Sequence, residues 1–424
     1  MKSLFFILTF SLLSLLIHAQ TIHNFSMGAS YANGQYYNLK TGFITSVAHP
    51  SWDIAFSVYG FTDGGIFINE GSSYSSTAPK LYIIPNKNFN DVITSSDVGN
   101  QLRNDEMSWA NGAFNSIRDT SSGFDYGWGA YNMNNHKIEA SVLFAIELGN
   151  GSFKKLSIDT LTSGTYYFRY ANFDGTDLKQ KSIAKSAYPN QTLAYFSIAN
   201  DSAVVAEPTT DWHWLFTRYE IDVLDSNGNP TPYTVGGILL NRKVEAVIVD
   251  GISPSTVDIN NYTLTSDSLT IIGHTWKSYG FTTGWTVDTD RVYFVKTADS
   301  SLYKNQFIDF QGSSTGTGAF QKTLLGTSTA VIETEGYTAL ESFDLFPNPA
   351  SDVANLVFSL EQAQESMQIQ LVNIYGQTVL QKAIHGNSGL NGLEIYTQSL
   401  NTGSYTLILR SKDVFISKKV LIQR

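Results

Sequence analysis

The stretch Ser51-Trp52-Asp53-Ile54-Ala55-Phe56-Ser57-Val58-Tyr59 alternates, with Trp52, Ile54, Phe56 and Val58 on one face and Asp53, Ala55 and Ser57 on the other. A variant returns at Thr210-Asp211-Trp212-His213-Trp214-Leu215-Phe216-Thr217-Arg218-Tyr219, where Trp212, Trp214 and Phe216 alternate with His213, Leu215 and Thr217. A period of two in runs this aromatic requires half-buried strands. Rings of this size bury large areas, so each tryptophan strand is expected to centre its own core. Two tryptophan-led strands, each preceded by a short strand and a turn, predict a duplicated unit, the alternative being two unrelated aromatic strands in one large β protein.

The rest of the chain keeps the same character. Gly, Asn, Ser, Thr and Asp punctuate short aromatic and β-branched runs, and few stretches have a helical period, so the fold class is all-β. Its 424 residues suggest two or three domains. Cysteine is absent, which excludes disulfides and thiolate metal sites. A formal net charge of -10 argues against nucleic acid, because phosphate binding needs a basic face. Met1 to Ala19 reads as a secretory signal peptide: Lys2 is positive, Leu4 to Ile17 is an apolar run, and Ala19 is the small residue at the cleavage site. No later stretch is long and apolar enough to be a transmembrane helix.

The first unit is expected over residues 20–186. Gln35 to Leu39, Lys40-Thr41-Gly42 and Phe43-Ile44 read as strand, turn, strand, and Gly65 to Asn69 is a further strand after the tryptophan strand. Leu81 to Ile84 is apolar and stopped by Pro85. Asn86 to Asn100 is polar and irregular, with a helical turn expected near Val98 to Met107. Gly127 to Tyr131, an Asn-rich turn and His136 to Ile138 form a hairpin, followed by strands at Ser141 to Glu147, Phe153 to Ile158 and Gly164 to Asn172.

Several of these motifs resemble the HmuY-like proteins. They are Trp-Asp-Ile-Ala-Phe at 52–56, Gly127-Trp128-Gly129-Ala130-Tyr131 leading to His136-Lys137-Ile138, and Val142 to Ile146 with a Gly turn and Lys154 to Ile158. The resemblance implies a secreted or surface-anchored β-rich protein, and for some members the capture of haem.

A second, diverged HmuY-like unit is expected over 187–327. Leu193 to Ile198 occupies the place of Tyr36 to Leu39, and Gly236 to Asn241 parallels Gly64 to Asn69. Gly273 to Tyr279 sits near the position of the Trp128 hairpin, and Arg291 to Lys296 with Tyr303 to Phe310 parallels Ser141 to Ile158. Sequence leaves open whether the copies fold separately or share a sheet. Residues 328–341, rich in Thr, Ser and Glu, read as an exposed linker.

The tail, residues 342–424, reads as a small immunoglobulin-like β-sandwich of short alternating strands. Pro347 and Pro349 flank Asn348 and keep that segment out of any central strand. Pro347-Asn348-Pro349, Ile374-Tyr375-Gly376, Leu400 with Gly403 and Tyr405, and Lys418-Lys419-Val420 resemble the type A C-terminal sorting domain of type IX secretion cargo. That resemblance implies two partners: an outer-membrane translocon, and a peptidase that removes the tail as the cargo is anchored or released.

Chemistry is sparse. No Gly-x-Ser-x-Gly elbow, His-Glu-x-x-His helix or phosphate-binding glycine loop occurs, and the chain is expected not to be an enzyme. Asp105-Glu106 lies in a polar stretch and is expected to be solvated. Asp225-Ser226-Asn227-Gly228-Asn229 looks oxygen-rich but lacks a later bidentate Glu, so a hairpin turn is expected rather than a calcium loop. Asp211 and His213 share one side of a strand, and His213 is expected to be half-buried there. Haem iron takes imidazole nitrogen or thioether sulfur between apolar walls. His136 and Met133, at the aromatic hairpin, are the candidate ligands, with Lys137 and Arg118 as candidate propionate partners and His274 a further candidate. The alternative for His136 and Met133 is an exposed hairpin histidine and a methionine packed under the turn. The expected function is an exported cargo that binds haem or a haem-carrying protein. The alternatives are a surface adhesin or structural module without cofactor and, behind it, a secreted hydrolase.

Overall fold

The computed structural model describes residues 21–60, 63–73, 77–327, 340–373, 377–411 and 414–424. The expected signal peptide and most of the linker, residues 328–339, lie outside them. The chain divides into two compact units, Met1–Thr327 and Ser328–Arg424. Both are built of antiparallel strands, and the helices among the described residues are single 3-10 turns.

The larger unit contains two sandwich lobes. In one, an eight-stranded sheet centred on Phe153–Thr162 faces the four-stranded sheet Ser202–Val204, Leu193–Ser197, Ile54–Ser57, Ile66–Ile68. Ile54, Phe56, Ile66 and Phe196 from the smaller sheet pack on Phe144, Leu156, Ile158 and Phe168 from the larger. In the other lobe, the sheet Pro230–Leu240, Trp214–Leu224, Asn33–Asn38, Gly42–Ala48 faces a five-stranded sheet running from Thr21–Ser26 to Glu245–Val249. Its core joins Tyr37, Trp214, Phe216 and Ile238 to Tyr293, Tyr303, Phe307 and Phe320.

Three pairings cross residue 187. Leu193 to Phe196 pair with Ser57 to Ile54, and Trp214 to Phe216 pair with Tyr37 to Gln35. Thr21 to Ser26 pair with Lys322 to Thr317. Asn33–Asn38 and Leu193–Ser197, the strands set in parallel by the sequence, each sit beside the tryptophan strand expected in the other unit. The sheets are therefore shared. Two strands of near-identical pattern fit either slot, so periodicity alone does not choose between them.

Other expectations shift locally. The helical turn sought near Val98 to Met107 falls earlier, at Ser95–Asp97, where Thr94 and Asp97 cap each other reciprocally. Gln101–Leu102 instead pairs with Leu81 and Tyr82 as an edge strand. Asn86 to Asn100 is not merely polar covering: Phe89 and Ile93 are buried against Ile84, Leu143 and Ala171 on the outer face of the large sheet.

The smaller unit is a seven-stranded sandwich. The three-stranded sheet Leu340–Phe346, Val353–Leu360, Gly389–Tyr396 packs on the four-stranded sheet Thr378–Gly386, Gln364–Asn373, Gly403–Arg410, Phe415–Ile422. Leu356, Phe358, Ile369, Leu371, Leu407 and Leu409 fill the core.

Candidate functional site: a cleft between two aromatic sheet faces

The alternation that sends Ile54 and Phe56 into one core and Trp214 and Phe216 into the other sends their neighbours the opposite way. Ala55, Phe67, Leu193 and Tyr195 on one sheet, and Tyr36, Leu215 and Leu239 on the other, meet in an apolar layer between the lobes. Tyr36 and Tyr195 touch across it, with hydroxyls 3.2 Å apart. Each also receives a tryptophan edge-to-face, Trp212 on Tyr36 at 5.1 Å and Trp52 on Tyr195 at 5.0 Å between ring centroids.

Trp52 and Trp212 are therefore not the centres of the lobe cores. Bends at Asp53 and His213 break the alternation just before each strand and turn both indoles to the interlobe side. The tryptophans at the lobe centres are Trp128, Trp214 and Trp276, all fully buried.

This layer opens into a cavity of about 120 Å³, room for several water molecules. Tyr36, Trp52, Phe67, Trp109 and Tyr195 supply apolar walls. Polar groups border the cavity in two sets. His49 is 94% buried, and its Nε2 has no hydrogen-bond partner. Burial, helped by nearby Arg218, lowers its pKa to about 3, so it is a neutral imidazole at physiological pH. The second set is carboxyls. Burial, followed by Glu220, raises the Glu70 pKa to about 8, and burial also raises Glu106 and Glu220.

Local structure explains the position of Glu70. It opens the 3-10 turn Glu70–Ser72, which lies against the strand Trp214–Leu224. A Cβ on Gly71 would stand 2.3 Å from Arg218 O, so only glycine permits that approach. Asn104 then ties the turn to the neighbouring loop. Its backbone N–H donates to Glu70 Oε1 at 2.9 Å and its Nδ2 to Glu70 Oε2 at 3.1 Å. Glu220 lies 3.6 Å from Arg103 Nε. Glu106 Oε2 is buried without a partner.

Several of these residues escaped the sequence reading. Glu106 is half-buried on the cleft, not solvated as expected, because Trp109 turns its loop inward: the indole Nε1 donates to Leu240 O at 2.7 Å. Asp105 is exposed. His49 and Glu70 carried one usable signal: each flanks a paired motif, the tryptophan strand and the Gly-Gly strand.

The other candidates lie elsewhere. Met133 is 65% exposed, and His136 sits exposed at the same hairpin tip with φ 57°. His136 Nδ1 bonds the Tyr131 hydroxyl at 2.9 Å, and Tyr131 stacks on Phe124. A thioether, an imidazole and one exposed ring pair do not make the enclosed apolar slot that haem requires, so these residues do not fit the group. Arg118 Nη1 donates to Asn111 Oδ1 at 3.5 Å. Lys137 opens the strand Lys137–Ala140. His274 is half-buried, with Nδ1 3.3 Å from the Tyr219 hydroxyl. No cluster of metal-ligating His, Asp and Glu occurs among the described residues. His213 is half-buried as expected: its Nδ1 accepts the Leu39 N–H. Asp225 Oδ1 accepts the N–H groups of Asn227 and Asn229, the expected hairpin turn.

In the smaller unit the first and last sorting motifs meet. Asn348 Nδ2 donates to Lys419 O at 2.9 Å, and Asn348 Oδ1 accepts the Leu421 N–H at 2.8 Å. Pro347 and Pro349 are exposed beside it. Gly403 opens its strand, and the Tyr405 hydroxyl donates to Asn401 O. Lys418 pairs opposite Leu407 and Lys419 opposite Thr406. Tyr375 and Gly376 lie outside the described residues.

Comparison with known proteins identifies this unit. Residues 344–423 match the family of secretion system C-terminal sorting domains. The chain is thus a type IX secretion cargo, delivered to the cell surface or outside it. No curated protein matches it in sequence. Among solved structures, dimeric latent PorU from Porphyromonas gingivalis is similar at 12% identity and a TM-score of 0.18, over 68% of this chain and 31% of that one.

Proposed function

We propose that the Met1–Thr327 unit is the working part of this cargo, a non-catalytic binding module that holds its ligand in the interlobe cleft. The observation that carries this reading is the pairing of aromatic walls with a deeply buried imidazole whose Nε2 has no protein partner. Protein interiors leave few such groups unsatisfied, and those at a cavity are natural contacts for a bound molecule. The carboxyls do not support hydrolysis. Glycosidic cleavage needs an acid and a second free carboxylate. Asn104 binds both oxygens of Glu70, Arg103 is paired with Glu220, and Asp105 is exposed and accepts the Met107 N–H, which leaves Glu106 without a second buried, free carboxylate.

The test combines export with turnover. Deleting Ser342 to Arg424 should leave the protein in the periplasm, measured by cell fractionation. Normal surface delivery of the truncated chain would contradict the role of the tail. A ligand bound by the full secreted protein should be recovered chemically unchanged, and release of cleaved products would overturn the non-catalytic reading.

A further inference from the structure

Resting on the cleft reading above, we infer that the cleft takes a neutral, polyhydroxylated ring ligand, a saccharide unit, stacked on Trp109 and hydrogen-bonded by His49. Three features of the cleft lead to this class. First, its walls are planar and apolar, with Trp52, Trp109 and Tyr195 among them. A pyranose ring has an apolar C–H face that packs on such a surface while its hydroxyls point sideways.

Second, the polar groups at the buried end are matched to hydroxyls. An imidazole Nε2 without a partner can exchange one hydrogen bond with a hydroxyl, as donor or acceptor according to its tautomer. Glu106 Oε2, also without a partner, can accept another. Burial keeps His49 uncharged and favours the protonated form of Glu70, so neither presents a full charge to the ligand at neutral pH.

Third, most charged groups on the lining are already engaged within the protein: Asn104 binds both oxygens of Glu70, and Arg103 pairs with Glu220. Arg218 lines the same cavity, is 93% buried and donates to Ser30 O and Ser72 O. Of the carboxyls on the lining only Glu106 and the exposed Asp105 are left to face a ligand, so the cleft offers hydrogen-bonding groups rather than a set of matched charges. A cavity of about 120 Å³ also limits the enclosed part of the ligand to about one ring.

The test uses the full secreted chain. Tryptophan fluorescence and calorimetry would be followed on addition of cellohexaose, maltohexaose, chitohexaose and mannohexaose, with spermidine and haemin as contrasting probes. At least one oligosaccharide should bind, and affinity should fall at least tenfold in Trp109→Ala and in His49→Leu. Trp109→Phe keeps an aromatic wall and should retain most of the affinity, which separates stacking from misfolding. Phe281→Ser, on a hairpin residue 96% exposed, should bind like the parent. Binding of spermidine or haemin alone, lost in Trp109→Ala, would overturn the saccharide class and leave the cleft reading standing. Oligosaccharide binding unchanged in both cleft variants would overturn the cleft itself. Failure of every oligosaccharide to bind the parent would overturn the inference.

Discussion

Glu70 is the residue at which burial and chemistry are most tightly coupled. Its pKa rises from 4.5 to about 8, first through burial and then through Glu220, against the opposing pull of Asn104 and Arg103. Between those two values the folded state holds a proton that the unfolded chain has lost. Stability therefore falls as pH rises through this window, by an amount on the order of a few kcal/mol. Glu70→Gln should remove that contribution, so the difference between parent and variant in denaturant unfolding should change steadily from pH 4.5 to 8. Neighbouring Glu106 and Glu220 slope the same way, His49 slopes oppositely below 6.5, and Lys277, lowered to about 7, slopes oppositely above 7. Taking the difference cancels these shared terms, and a flat difference would show that Glu70 is not held protonated by the fold. The tryptophans divide similarly. Trp214 is fully buried and Trp214→Ala should cost about 3–5 kcal/mol, whereas half-buried Trp52→Ala should cost clearly less. Equal losses in thermal or denaturant unfolding would contradict the assignment of Trp52 to the cleft.

Strands and their faces were largely legible, because a period of two directly encodes which side chains share a face. The strand expected at Phe153 to Ile158 opens at Phe153 and runs on to Thr162, and the hairpin around Asp225 was expected from its turn residues. What alternation could not show was the effect of a single bend: at Asp53 and His213 it moves the preceding tryptophan from core to cleft. Nor could it show Asn104 and Asn115 serving as side-chain partners for the edge strand Ile66–Ile68, although both bond its backbone. In the tail, sequence showed the motifs but not that they touch. Asn348→Ala removes the acceptor of the Leu421 N–H and the donor to Lys419 O, at a local cost of about 1–2 kcal/mol. Amide exchange at Leu421 should speed up about tenfold or more, while Leu371 and Leu407 in the core keep their protection. No change at Leu421 would mean the two motifs are not joined through Asn348.

At the scale of the molecule, strands were readable and their connectivity was not. The sequence sets Leu193 to Ile198 in the place of Tyr36 to Leu39, but only the structure shows that Tyr36 and Tyr195 face each other across the cleft. The first strands of the chain complete the lobe built mainly from residues 207–327, while Lys179–Ala184 and Leu193–Ser197 complete the lobe built from residues 49–171. The cleft depends on that exchange, since one of its two tyrosines comes from each exchanged strand. The family match explains how such a body leaves the cell, and the cleft is the feature of the body that its chemistry singles out. Hydrogen–deuterium exchange on a variant lacking residues 21–48 tests this arrangement most directly. Protection should fall over Trp214–Phe216 and Thr317–Lys322, each of which loses one neighbouring strand, and be retained over Leu143–Ala171. Loss of protection over Leu143–Ala171 with Trp214–Phe216 and Thr317–Lys322 still protected would contradict this arrangement.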